Sequence, residues 1–249
     1  MTANKYEWGV EYYDPYVHNT DMTLIVGIKN RSGVTVVSDG LSVVYLTLDN
    51  SIHELPPDTK KIYEVNGRFL VGVASGNLDG NSKGRMEGYL ELSVPKQIRN
   101  TLALAGNLAD RVPGWLKNNS LKMAGLTLLV AGVDNHESNI YIVAEKNDGS
   151  GYEVCREEGD GSFAVVGSRD LAKAYLSSRS TQNLSPTKAE TIGLQTIQTA
   201  SKHDPFVGGY VKSWLIKNTG IEGPKNLDFI KPDREKIISY NKKKLSSLV

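Results

Sequence analysis

Thr23 stands directly before an apolar run, "LIVGIK", and sixteen positions later a second run, "VTVVSD", ends at Asp39. A threonine at the head of a strand is an ordinary residue. It becomes a nucleophile if its bond to Met22 is cut, because its hydroxyl then has a base on the same residue, an α-amino group with an ordinary pKa of about 8. Such a nucleophile needs partners. A cation near the hydroxyl favours the alkoxide and lowers the amine pKa. A carboxylate must hold that cation, and hydroxyls with a further carboxylate must orient the amine. A backbone N–H must face the oxyanion that forms on the attacked carbonyl. None of these groups has to be close in sequence, so the elements that would carry them have to be found next.

Residues 1 to 22 are polar and aromatic without a clear period, and read as an arm or propeptide. "TLIVGIK" and "VTVVSD" read as a strand pair around the turn "NRSG". "LSVVYLTL" reads as a strand and "DNSIHELPPDT" as a loop broken by Pro56 and Pro57. "KKIYEV" and "RFLVGVAS" form a hairpin about Asn66-Gly67. From Asp79 to Lys117 the apolar spacing turns helical, with Pro95 expected to kink or split the run. Strands follow at "GLTLLVAGVD", "NIYIVAE", "YEVCRE" and "SFAVVGS", then a helix at "RDLAKAYLSSR". Ser185-Pro186 starts another helix as N-cap and first helical residue, running to about His203. A last strand, "YVKSWLIKN", precedes a terminal helix at "DREKIISYNKKKLSSL". Strands in hairpins and helices in groups give an α+β fold with antiparallel sheets, and residues 23–249 read as a single domain.

The 249 residues can bury a large core. A net charge of +1 gives no basic excess for nucleic acid, and no stretch is apolar enough to span a membrane. The N-terminus lacks a secretory h-region. One cysteine, Cys155, excludes an internal disulfide and fits a reducing, cytoplasmic setting, where the N-x-S/T patterns at Asn30, Asn118 and Asn183 are chance matches. His18, His53, His136 and His203 show no metal-ligand spacing, and no phosphate-binding glycine loop is present, so neither metal nor cofactor is expected.

Taken together, Thr23, Gly33-Val34, Asp39 and "KKIYEV" resemble the start of a proteasome β-type subunit or its bacterial ring-protease relative. In that family a threonine, an apolar strand, Gly-Val and a second strand ending in Asp precede a Lys-Lys pair. The loop between Asp39 and Lys61 is about six residues longer than usual in the family. The resemblance implies a four-layer αββα sandwich of the N-terminal nucleophile hydrolase type. It implies Thr23 as nucleophile, Lys61 as the catalytic cation and Asp39 as its carboxylate. Ser75, in "FLVGVASGNLD", falls where a backbone N–H binds the oxyanion. "VVGSRDLAKAYL" and "SKHDPFVGGYV" resemble the family's later segments and carry over Ser168 and Asp204 as supporting residues. The specificity pocket would be lined by Ser42, Val43, Thr59, Val73 and Asn77, with Val73 as its floor, and these uncharged residues imply a preference for apolar side chains. Three features depart from the pattern. Met22 replaces the glycine that eases self-cleavage, Val207 replaces a second supporting serine, and Asp39 is followed by Gly40-Leu41.

The implied function is a threonine-type endopeptidase, released by loss of residues 1 to 22. It would cut peptides or unfolded chains inside a self-assembled ring, with an ATPase unfoldase as a conceivable partner. Two other readings keep the fold. One is an unprocessed, non-catalytic assembly subunit; the other is a hydrolase of a small amide. Each residue also has a plain reading: Thr23 as a β-branched strand residue, Asp39 as a turn start, Lys61 as an edge charge, and Ser168 and Asp204 as caps.

Overall fold

In the computed structural model, residues 17–19, 23–41, 43–46, 51–54, 60–75, 86, 88–90, 94–118, 126–156, 161–179 and 181–239 are described. The strands, in chain order, are β1 (Val17–Asn19), β2 (Leu24–Asn30), β3 (Gly33–Ser38), β4 (Val43–Leu46), β5 (Ser51–Glu54), β6 (Ile62–Val65), β7 (Phe69–Ala74), β8 (Thr127–Asp134), β9 (Glu137–Glu145), β10 (Tyr152–Arg156), β11 (Phe163–Gly167), β12 (Gly209–Lys217) and β13 (Gly220–Ile230). The longer helices are α1 (Thr101–Asn118), α2 (Arg169–Ser177) and α3 (Pro186–Ser201). Residues 234–239 are also helical.

Two antiparallel five-stranded sheets, in the orders β10-β9-β8-β7-β6 and β11-β2-β3-β12-β13, make the centre of the molecule. Strand alternation sorts their residues to two faces. Ile25, Val34, Val36, Leu70, Leu129, Ala131, Ala164 and Ile216 fill the space between the sheets. On the outer face of one sheet, Val71, Val73, Leu128, Val130 and Val143 pack on Leu104, Leu108, Val112 and Leu116 of α1. On the outer face of the other, Leu24, Val26, Ile28, Val37 and Val165 pack on Ala172 and Leu176 of α2 and Ala189 and Ile197 of α3. Helix, sheet, sheet and helix are therefore stacked, and the fold is the expected αββα sandwich. This layering explains why β2, β3 and β7 are apolar on both faces: each is covered by the facing sheet on one side and by helices on the other.

Local signals set the boundaries. Asn66 and Gly67 both take positive φ in the β6–β7 turn, as the Asn-Gly pair demands. Pro95 lies in a non-helical segment that divides the helical residues 88–90 from α1. Asn100 Oδ1 caps α1 by accepting the Ala103 N–H at 2.7 Å. Ser185 Oγ accepts the Lys188 N–H at the start of α3, with Pro186 as its first residue.

Three elements differ from the sequence expectation. The segment read as a broken loop holds β5, paired with β4. The arm carries β1, also paired with β4. Directly after β12 comes β13, which was not expected. β13 has a single partner and is mostly exposed, so no apolar alternation marks it, and Gly220, Gly223 and Pro224 lower its strand propensity.

Candidate active site

The β2–β3 hairpin brings Asp39 back beside Thr23. Ile25 pairs with Ser38, so the next bonds out are between Leu24 and Asp39. The Asp39 N–H donates to Leu24 O at 3.1 Å, and the Leu24 N–H donates to Asp39 Oδ1 at 2.9 Å. Lys61, directly before β6, donates from Nζ to the same Oδ1 at 3.1 Å and to Leu41 O at 2.6 Å. The Gly208 N–H donates to Asp39 Oδ2 at 3.1 Å. One carboxylate thus ties together the residue after Thr23, the lysine, and a loop 169 positions away.

Lys61 is not an edge charge. Its side chain and that of Asp39 are 0% exposed. Burial pushes the Asp39 carboxyl above the ordinary carboxylate range, and the Lys61 ammonium with the Leu24 and Gly208 N–H groups pulls against that rise. A buried pair of this kind adds little net stability compared with apolar residues, because desolvation offsets the attraction.

Thr23 is 1% exposed, and its Oγ1 has no hydrogen-bond partner among the described residues. A buried hydroxyl without a partner calls for an explanation. The Thr23 carbonyl, by contrast, is fixed: it accepts the Ser168 N–H at 3.1 Å. This contact depends on Gly167, at φ +92, where an added Cβ would fall 1.5 Å from Thr23 O. Only glycine lets β11 approach so closely.

Ser168 occupies the N-cap position of α2 but makes no capping bond with its side chain. Its hydroxyl donates instead to Asp204 Oδ2. Asp204 Oδ1 accepts the Phe206 N–H at 2.9 Å, and the Asp204 N–H donates to Ala200 O at the end of α3. Asp204 therefore does shape its own loop, but one oxygen is spent on Ser168. The Val207 side chain is buried among the α2–α3 core residues and contributes no polar group.

Of the remaining expected site residues, Ser75 is buried directly after β7. Val73 is closed into the α1-side core together with Met86 and Leu90. Val43 opens β4. Met22, Ser42, Thr59 and Asn77 lie outside the described residues. Sequence reasoning missed the backbone groups: the Leu24 N–H, the Leu41 carbonyl and Gly208. Gly208 O also accepts from both the Gly40 and Leu41 N–H groups, at 3.0 and 2.8 Å. The Gly208-Gly209 pair in the sequence was the available signal. Gly209 has φ +74, and a Cβ there would stand 2.8 Å from the Leu41 nitrogen.

The family model described as proteasome subunit matches residues 22–216. The chain belongs to the proteasome subunit family. Compared with individual curated proteins, it matches none. The family match opens one residue before Thr23 and closes within β12, so it covers one large sheet, the other without β13, and the residues bonded to Asp39. Membership makes the chain a proteasome-type peptidase or an assembly subunit, and implies that it joins other subunits in a ring. Among the described residues no group of His, Cys, Asp and Glu side chains could hold a metal ion, and no helix is long and apolar enough to cross a membrane.

Proposed function

We propose that this proteasome subunit is a threonine endopeptidase, with Thr23 as nucleophile once residues 1–22 are removed. The observation that carries the reading is the fully buried Lys61–Asp39 pair, anchored on Leu24 beside a buried threonine hydroxyl that has no partner among the described residues. A structural role for that pair would be poorly repaid, since an apolar pair of the same size would be as stable. In the proposed reaction the Thr23 Oγ attacks the scissile carbonyl, its freed amine takes the hydroxyl proton and passes it to the leaving amine as the C–N bond breaks, and water then hydrolyses the Thr23 ester. Lys61 favours the alkoxide, and Asp39 keeps Lys61 charged and in place. Ser168 and Asp204 orient the amine, and the Ser75 N–H receives the oxyanion. The reading includes a cytoplasmic ring of several subunits, substrates that are peptides or unfolded chains, and an ATPase that feeds them in.

The test is a chain that begins at Thr23, released from a fusion by a specific protease. It should cleave fluorogenic peptides and react with a threonine-directed epoxyketone. If it assembles yet does neither, the catalytic reading is wrong.

A second reading has one observation in its favour. Residues 17–19 are paired with β4, as they would be in a subunit that keeps its arm and serves assembly alone. Intact mass of the purified protein separates the two: loss of residues 1–22 supports the peptidase, and a full-length chain supports the assembly subunit.

A further inference from the structure

Leu41, Phe206 and Ile237 form a small apolar cluster apart from the three larger ones, and each is at most 3% exposed. Ile237 is the one buried residue of 231–239. It belongs to the short helix at residues 234–239, whose start is capped by Asp233: Oδ1 accepts the Lys236 N–H at 3.1 Å. So short a helix is not stable by itself. Among the described residues, Ile237 is the side chain that seats it on Leu41 and Phe206. Ile237 also lies beyond residue 216, where the family match ends.

The two residues packed on Ile237 serve different parts of the candidate site. Leu41 O accepts from Lys61 Nζ at 2.6 Å, and the Leu41 N–H donates to Gly208 O at 2.8 Å. The Phe206 N–H donates to Asp204 Oδ1 at 2.9 Å, and the other Asp204 oxygen accepts from the Ser168 hydroxyl. Leu41 thus stands on the lysine side of Thr23, and Phe206 on the side that would orient the freed amine. Both act through peptide groups, and a peptide group is aimed by the packing of its own side chain. We propose that Ile237 is a positioning residue of the peptidase, holding the Leu41 carbonyl on Lys61 and the Phe206 N–H on Asp204 in one geometry. The proposal rests on the peptidase reading above. A close-packed interior transmits displacement, so a cavity left at Ile237 lets Leu41 and Phe206 relax into it. A shift of about 1 Å at a catalytic group slows a reaction by about a hundredfold. Ile237 is 0% exposed and out of a substrate's reach, so the loss falls on kcat and not on KM.

The test compares the parent with variants in the assembled protein that begins at Thr23. Ile237→Ala should lower kcat about ten- to a hundredfold, with KM within about twofold. Ile237→Leu keeps the volume and should recover most of kcat. Leu116→Ala, equally buried in the last turn of α1, should lower the urea midpoint at least as far and leave kcat unchanged. Hydrogen exchange on the full chain gives a readout that needs no catalysis. There Ile237→Ala should speed exchange at the Leu41 and Phe206 N–H groups at least about tenfold, with β8 and β9 unchanged. If Ile237→Ala fails to assemble, Ile237→Val removes a single methylene and should show the same split of kcat from KM at smaller size. Unchanged kcat in an assembled Ile237→Ala protein, an equal loss of kcat in Leu116→Ala, or unchanged exchange at Leu41 and Phe206 would overturn the proposal. An inert parent sinks the peptidase reading, whereas an active parent with an equally active Ile237→Ala variant sinks this proposal alone.

Discussion

Lys61 Nζ lies 3.1 Å from Asp39 Oδ1, and neither side chain is touched by solvent. Removing one partner and removing both therefore have different consequences. Asp39→Ala leaves an ammonium buried without its counter-ion and should cost about 3–5 kcal/mol in urea unfolding. Asp39→Asn with Lys61→Met removes both charges and should stay within about 2 kcal/mol of the parent. Both variants should lack peptidase activity. A double variant that keeps activity would show that the pair serves only the fold.

The same comparison made against pH reads the Asp39 carboxyl. Burial raises its pKa in the folded chain, so the folded state holds this proton more tightly than the unfolded state. The stability contributed by such a group is fully present below the unfolded pKa and is lost as pH rises through the folded one. On going from pH 7 towards pH 4, the parent should gain stability relative to Asp39→Asn with Lys61→Met. A parent that loses ground over that range would mean that Lys61 and the two N–H donors outweigh burial.

Gly167 allows β11 to lie against the Thr23 carbonyl. Gly167→Ala should cost about 2–5 kcal/mol, combining strain at positive φ with a backbone collision. Gly149 is the control: its φ is +68, and an added Cβ meets nothing within 4 Å. Gly149→Ala should cost only the φ strain, about 1 kcal/mol. Equal losses at the two sites would remove the case for a tight β11–Thr23 contact.

Release of Thr23 should be slow in the parent chain. Self-cleavage requires its hydroxyl to reach the Met22 carbonyl through a tight turn, which a residue with a Cβ resists. A strain of about 1–3 kcal/mol slows the step by roughly five- to a hundredfold. Met22→Gly should accelerate loss of residues 1–22 by that factor, followed by mass spectrometry, and Thr23→Ala should stop it. A Thr23→Ala chain that still loses its arm would point to an external protease.

Peptides with Leu or Tyr before the cut should be cleaved faster than those with Arg or Glu. The expected pocket residues Ser42, Val43, Thr59, Val73 and Asn77 offer no charge to offset desolvation of an ionised side chain. A fluorogenic panel led by Arg or Glu would refute this.

Much of the architecture could be read before the structure, because the two sheets impose strong patterns. Runs such as "TLLVAGV" are apolar on both faces, and the Asn66-Gly67 turn and Ser185-Pro186 cap are local signals that tertiary packing does not override. Of the elements that escaped notice, β1 and β5 are too short to show a period, and β13 has one partner among the described residues and is mostly exposed, so little burial shapes its composition. The candidate site divides in a similar way. Lys61 meets Asp39, and Ser168 meets Asp204, through side chains, and side chains are what a sequence displays. Leu24, Leu41 and Gly208 act through peptide groups that every residue possesses, so their identities are silent about the role. Ser168 is instructive: its type and place before α2 fit a cap, and only its bond to Asp204 shows otherwise.

The bond from Gly208 to Asp39 also sets a clock. It joins groups 169 positions apart, so Thr23 leaves the ribosome well before the loop that completes its surroundings exists. At about 5–20 residues per second, that gap lasts roughly 8–34 seconds. During it the nascent chain holds Thr23 and Asp39 without the bond from Gly208. Loop closure over such a distance is slow, so the surroundings of Asp39 are completed late.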